Sequence, residues 1–144
     1  MKLPGFYQGA KPCVFAVVRG GNSLHSFSGY VRFVIDTAAV RTTLLDADAR
    51  RLRIPEELLN PRDKLVGLGG AVRTFLIDKA ELIFESADED FSVSMAICVT
   101  RHDLDGMPTD DRAKVAALAS VLGLDFINKF KLLCEYRKDV VRME

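Results

Sequence analysis

Val34-Ile35-Asp36-Thr37-Ala38-Ala39 is the segment on which the interpretation of this chain turns. Two β-branched residues run into an aspartate, and the small residues behind it suit a turn better than a continued strand. Working upstream, Tyr30 to Ile35 reads as a strand, and so does the apolar, partly β-branched run Val14 to Arg19. Gly20-Gly21-Asn22 ends that run with turn residues, so the two strands pair as a hairpin or a wider β-connection across residues 20 to 28. Asp36 therefore stands at a strand end. Alone this is weak evidence of chemistry, because strand-end aspartates commonly serve turns and helix caps.

Downstream, Asp46 is positioned to cap a short helix that ends before Pro55, with Leu44, Leu45 and Leu52 as its inner face. Lys64 to Phe84 reads as a long hairpin with Gly67-Leu68-Gly69-Gly70 at its tip. Phe91 to Thr100 reads as a further strand, whose two-residue period places Phe91, Val93, Met95 and Ile97 on one face. Residues 101 to 112 form a polar loop, and Ala113 to Ser120 suits either helix or strand. Val121-Leu122 is a short buried strand ending at Gly123, Asp125 to Phe130 a short helix, and Lys131 to Met143 two strands around an Arg137-Lys138-Asp139 turn. The pattern is mainly β, in a chain of 144 residues suited to a single domain spanning 1–144.

Composition removes several classes of function. Twenty basic residues balance twenty acidic ones, which leaves no general pull toward nucleic acid or an anionic membrane. No apolar run approaches the ~18 residues of a membrane span, and the first ten residues lack a signal-peptide core, so a soluble cytoplasmic protein is expected. Cys13, Cys98 and Cys134 are odd in number and far apart, which suits buried free thiols in a reducing compartment. His25 and His102 stand in no nucleophile pattern. His102-Asp103-Leu104-Asp105, with Asp110 and Asp111 nearby, offers oxygen ligands to a cation but reads better as a solvated acidic loop. Arg50-Arg51-Leu52-Arg53 is offset by Asp46, Asp48, Glu56 and Glu57, as on a solvated helix face.

Three segments taken together carry more than any one of them. Ile35-Asp36-Thr37-Ala38-Ala39, Gly67-Leu68-Gly69-Gly70 and Val121-Leu122-Gly123-Leu124-Asp125 follow one another in an order and spacing that resembles the retropepsin family, the retroviral and retrotransposon aspartic proteases with their bacterial and cellular relatives. The resemblance covers roughly residues 13 to 136 and implies a retropepsin-like acid protease fold: a closed, barrel-like β half with one short C-terminal helix. It implies that Asp36 is the catalytic aspartate and that the Thr37 hydroxyl links the two catalytic loops across a homodimer. It further implies that Ala38 completes the catalytic loop, that Ala39 binds substrate, and that Gly67, Leu68, Gly69 and Gly70 form a flap over a peptide or protein substrate. No metal and no cofactor is called for. One chain offers one such loop, and a water held between two carboxylates, one ionised and one protonated, needs a second copy.

The chain departs from the family at four positions. Ala38 stands where the family carries glycine, Val40 and Arg41 follow where retroviral members carry acidic or small polar residues, and Leu124 replaces a common arginine. Two functions stay open at this level: an aspartic endopeptidase, or a weak or inactive relative that binds peptides or partner proteins in the same cleft. Leu132 to Met143 is the expected dimer interface.

Overall fold

The computed structural model describes the backbone of residues 2–67 and 70–144, and their side chains outside 63–71. In chain order the elements are β1 (Leu3–Pro4), β2 (Phe6–Gln8), β3 (Lys11–Gly21), β4 (Ser26–Ile35), β5 (Thr43–Leu44), α1 (Asp46–Arg51), β6 (Asn60–Gly67), β7 (Gly70–Phe84), β8 (Phe91–His102), α2 (Thr109–Ala116), β9 (Val121–Leu122), α3 (Leu124–Ile127), β10 (Leu132–Glu135) and β11 (Val140–Met143).

β3 and β4 pair antiparallel from Cys13↔Val34 to Gly21↔Ser26, as their turn residues lead one to expect. The two-residue period sends Val14, Ala16 and Val18 of β3 and Phe27, Val31, Phe33 and Ile35 of β4 inward. The main sheet runs β2-β3-β4-β9-β5-β8-β7-β6. Because β3 also pairs with β7, from Val17↔Ile83 to Gly20↔Ala80, the strands between them close into a barrel. In β7 the inward set changes phase, from Ile77 to Ala80, Leu82 and Phe84, across a register shift between Ile77 and Ala80. A bulge of this kind adds a residue to one strand and bends it, which lets a long strand wrap a barrel without losing its core face.

Phe126 of α3 is fully buried, its ring 4.9 Å from that of Phe84 and 5.0 Å from that of Phe130. This aromatic stack fastens the helix to the barrel, and truncating such a ring typically costs about 3–5 kcal/mol. The chain ends form a separate sheet in the order β1-β11-β10. Its hairpin turns at Asp139, which takes a left-handed conformation with φ 54°.

Several local expectations need correction. Asp46 does not cap α1; it is the first helical residue, Leu45 occupies the cap position, and the Asp46 carboxylate is spent elsewhere. Leu44 is buried, but on β5 rather than on the helix face, because β5 pairs with β8 and β9. The polar stretch from 101 is only partly loop: His102 ends β8, and Thr109 to Arg112 already belong to α2. Of the thiols, Cys13 is buried, Cys98 half-buried and Cys134 exposed, so burial does not hold for all three. The outer arm of the long hairpin starts earlier than expected, at Asn60, and the arms pair as far as Gly67↔Gly70; Leu68 and Gly69 lie outside the described residues.

Candidate active site

β4 and β9 lie side by side and parallel, with Val34 opposite Val121 and Ile35 opposite Leu122. The pairing continues one step beyond β4, as the Asp36 amide donates to the Leu122 carbonyl at 3.1 Å. The strand end is thereby fixed at the residue that carries the carboxylate. The chain then turns: the Ala38 amide donates to Asp36 Oδ1 at 2.9 Å and the Ala39 amide to the Asp36 carbonyl at 3.2 Å. Such an aspartate turn is locally encoded, since a short carboxylate reaches the amide two residues on. Thr37 and Ala38 are exposed and Asp36 half-buried.

The far side of this loop, through Arg41, crosses the chain at Gly123. Leu124 donates its amide to the Ala39 carbonyl at 2.8 Å and Asp125 to the Val40 carbonyl at 3.1 Å. A Cβ built on Gly123 would meet the Arg41 carbonyl carbon at 2.5 Å and its oxygen at 2.8 Å. Gly123 has an extended φ of −97°, so glycine is required here by the approach of a second backbone and not by conformation.

Thr42 completes the crossing. Its side chain is fully buried, its hydroxyl donates to Asp125 Oδ1 at 2.7 Å and accepts the Gly123 amide at 3.1 Å, and its own amide donates to both Asp125 oxygens at 2.9 and 3.0 Å. Loop and helix start are thus tied by one charge-assisted cluster, the stronger kind of hydrogen bond. Asp125 does lie in the first turn of α3, as read from sequence, but its carboxylate belongs to Thr42. The sequence reading passed over Thr42 altogether. The signals present were a threonine six residues after Asp36 and an acid two residues after Gly123.

Ala38 is not among the described non-glycine residues with positive φ, which are Arg53 and Asp139. The loop accommodates its Cβ without left-handed strain, so a glycine in this place is not demanded by the backbone of the protomer. Beyond Ala39 lies a cavity of about 470 Å³, walled by Ala39, Val40 and Arg41 of the loop, Val121 of β9, and residues of β5, β6, β7 and β8. The loop is thus set beside the base of the long hairpin, while no contact of the hairpin tip is described. A larger concavity of about 690 Å³, lined by Arg19, Asn22, Lys79 and Glu81, holds none of the loop residues.

His102, weighed above with its neighbouring aspartates, lies elsewhere and does structural work. Its amide donates to Asp46 Oδ2 at 2.7 Å and its Nδ1 lies 2.6 Å from Asp46 Oδ1, which accounts for the burial of that carboxylate. Among the described residues no cluster of histidine, cysteine and carboxylate side chains is arranged to hold a metal.

The whole architecture resembles a retropepsin-like aspartic protease from Rickettsia conorii with a TM-score of 0.53 at 16% identity, covering 99% of this chain and 96% of that one.

The chain has a retropepsin-like fold.

An EIAV protease solved with the inhibitor HBY-793 is a more distant likeness, with a TM-score of 0.44 at 16% identity over 83% of this chain and 86% of that one. No family model and no curated protein sequence matches the chain. In this retropepsin-like frame the residues expected at the site divide cleanly. Asp36, Thr37, Ala38 and Ala39 share one loop, Gly67 and Gly70 face each other at the end of the hairpin arms, and Leu68 and Gly69 are outside the described residues. Among the described residues no helix is long and apolar enough to cross a membrane.

Proposed function

We propose that this protein is an aspartic endopeptidase that works as a homodimer, with Asp36 of each chain at the twofold axis. The observation that carries the proposal is the placement of Asp36. Its backbone is pinned to Leu122, one carboxylate oxygen is held by the Ala38 amide, and it stands on an exposed loop in a retropepsin-like fold.

The chemistry follows from two such carboxylates sharing one proton, since like charges about 3 Å apart do not both ionise. The ionised member takes a proton from the water between them while the water oxygen bonds to the scissile carbonyl carbon, and the protonated member gives its proton to the carbonyl oxygen. Collapse of the resulting gem-diol breaks the C–N bond as a proton passes to the amine. Thr37 is assigned to bracing the two loops against each other, Ala38 and Ala39 to the loop edge along which substrate lies, and the hairpin tip of Gly67, Leu68, Gly69 and Gly70 to a flap closing over the peptide. Twofold symmetry supplies the second Asp36 without a second gene product. For the interface we assign the terminal sheet, including Leu132 to Met143. β11 is already paired on both sides, so a partner strand adds at the β1 or β10 edge. The free thiols suit a reducing, cytoplasmic setting.

The test is digestion of a mixed peptide library between pH 4 and 7 by the wild type and by Asp36→Asn, alongside sedimentation at micromolar concentration. Cleavage by the wild type that falls by at least about 10²–10⁴-fold in the variant is the expected result. Cleavage indifferent to the substitution, or a strictly monomeric protein, overturns the proposal. Peptide binding without cleavage assigns the chain to the non-cutting alternative.

A further inference from the structure

The cavity beside Val40 has an uncommon lining for a peptide cleft. Ala39, Val40, Cys98 and Val121 make most of its wall apolar, and its polar groups are Arg41 from the loop, Arg62 from β6 and threonine hydroxyls from β5, β7 and β8, Thr100 among them. No carboxylate among the described residues lines it.

Two features suggest that the pocket is built to receive an anion. Arg41 and Arg62 are both exposed, and among the described residues neither is paired with an acid; Arg32, Arg53, Arg112 and Arg137 are among those that share that state, but Arg41 and Arg62 are the two that line one cavity. Arg62 sits where the β6–β7 register shifts, between Pro61 and Lys64. A bulge takes a residue out of the regular alternation and re-aims its side chain, which accounts for an arginine at a cleft wall inside a strand pair. The second feature is the Thr100 hydroxyl, which is shielded from solvent and has no hydrogen-bond partner. A shielded hydroxyl without a partner is disfavoured unless a ligand atom completes it. An arginine fork with a nearby hydroxyl matches a carboxylate in both charge and donor geometry.

We infer that this pocket selects an acidic side chain of the peptide, its stem against Val40 and Val121 and its carboxylate between Arg41 and Arg62, with the Thr100 hydroxyl donating to it. The inference rests on the protease reading for the identity of the ligand as a peptide. It goes further in assigning a charge preference to a cleft whose loop carries no acid beyond Asp36.

The experiment uses a fluorescein-labelled peptide series cleaved by the wild type, in which a single Glu is moved through each position and paired with its isosteric Gln. Cleavage by the wild type is measured at pH 6, and binding to Asp36→Asn by anisotropy in parallel. At one position Glu is expected to exceed Gln by about tenfold, in line with a charge-assisted contact. The preference should fade below about pH 4.3 as glutamate protonates. It should drop below twofold in Arg41→Gln/Arg62→Gln and reverse in favour of Gln in Arg62→Glu, a change at an exposed site that spares the core. Equal cleavage of the Glu and Gln peptides at every position overturns the inference while leaving the protease reading intact. Should no peptide be cut, the Glu and Gln series is compared for Asp36→Asn binding alone. A preference there that depends on Arg41 and Arg62 sustains the inference against the protease reading, and its absence overturns both.

Discussion

The Thr42 hydroxyl donates to Asp125 Oδ1 at 2.7 Å, across 83 residues of sequence, and this bond fixes the loop bearing Asp36 against the start of α3. The Thr42 amide shares the same carboxylate, so two buried donors depend on one side chain. Asp125→Ala is expected to cost about 1.5–3 kcal/mol, the usual worth of hydrogen bonds to a charged group. Asp125→Asn, which keeps one acceptor oxygen, should lose less. Urea unfolding checks this through the shift in midpoint at constant slope.

Gly123 is the second element of that crossing. An added methyl group runs into backbone, 2.5 Å from the Arg41 carbonyl carbon, so no side-chain rotation can relieve it. Gly123→Ala should therefore destabilise by about 1–3 kcal/mol, the typical penalty of overpacking, or prevent folding. Because the loop must shift to make room, kcat/KM in the peptide assay should fall further than the loss of folded protein explains.

Ala38 shows the opposite case. Its backbone is free of left-handed strain, so glycine offers the protomer no conformational relief. Ala38→Gly is expected to lower stability by about 0.4–1 kcal/mol by widening the unfolded ensemble. If the substitution stabilises the protein, the loop is strained after all. A rise in activity without stabilisation would instead locate the crowding of the Ala38 Cβ outside the protomer, in the proposed dimer or its substrate.

The three thiols should react in order of exposure. Burial pushes the Cys13 thiol above its ordinary value, with Arg32 and Lys11 pulling partly back. Cys13 is therefore protected both sterically and as the unreactive thiol, while Cys134 is exposed. Titration with a chromogenic disulfide at pH 8 should label Cys134 first, Cys98 more slowly, and Cys13 only on unfolding. The linkage has a definite sign: a thiol that holds its proton more tightly when folded gives stability below the ordinary thiol range that is lost as pH rises through the folded value. The denaturation midpoint of the wild type should thus fall more steeply above pH 9 than that of Cys13→Ala, a comparison that removes the tyrosines common to both.

Much of this molecule is legible from local pattern. The apolar run Val14 to Arg19 and the segment Tyr30 to Ile35 mark two paired strands, although the second begins earlier, at Ser26, and the small residues after Asp36 announce its turn. These features depend on side-chain period and turn chemistry, which neighbours in sequence settle between themselves. The start of α2 was less legible, since its acidic first turn has the same composition as an exposed loop and only Val115 is buried. Asp46 looked like a cap because a carboxylate before a helix usually is one; here the buried site beside His102 outcompetes the helix amides for it.

By itself the sequence determined a β-rich chain with an aspartate at a strand end, a glycine-tipped hairpin, and a short strand closed by Gly123. The tertiary structure alone decided how those parts meet. It brought Thr42 to Asp125, passed Arg41 across Gly123, placed the bulged Arg62 at a cavity beside Val40, and set β11 between β1 and β10. The physical reason is that each of these relations joins residues far apart in the chain. Which donor finds which acceptor, and which backbone passes so close that only glycine fits, is fixed when the barrel closes through β3 and β7.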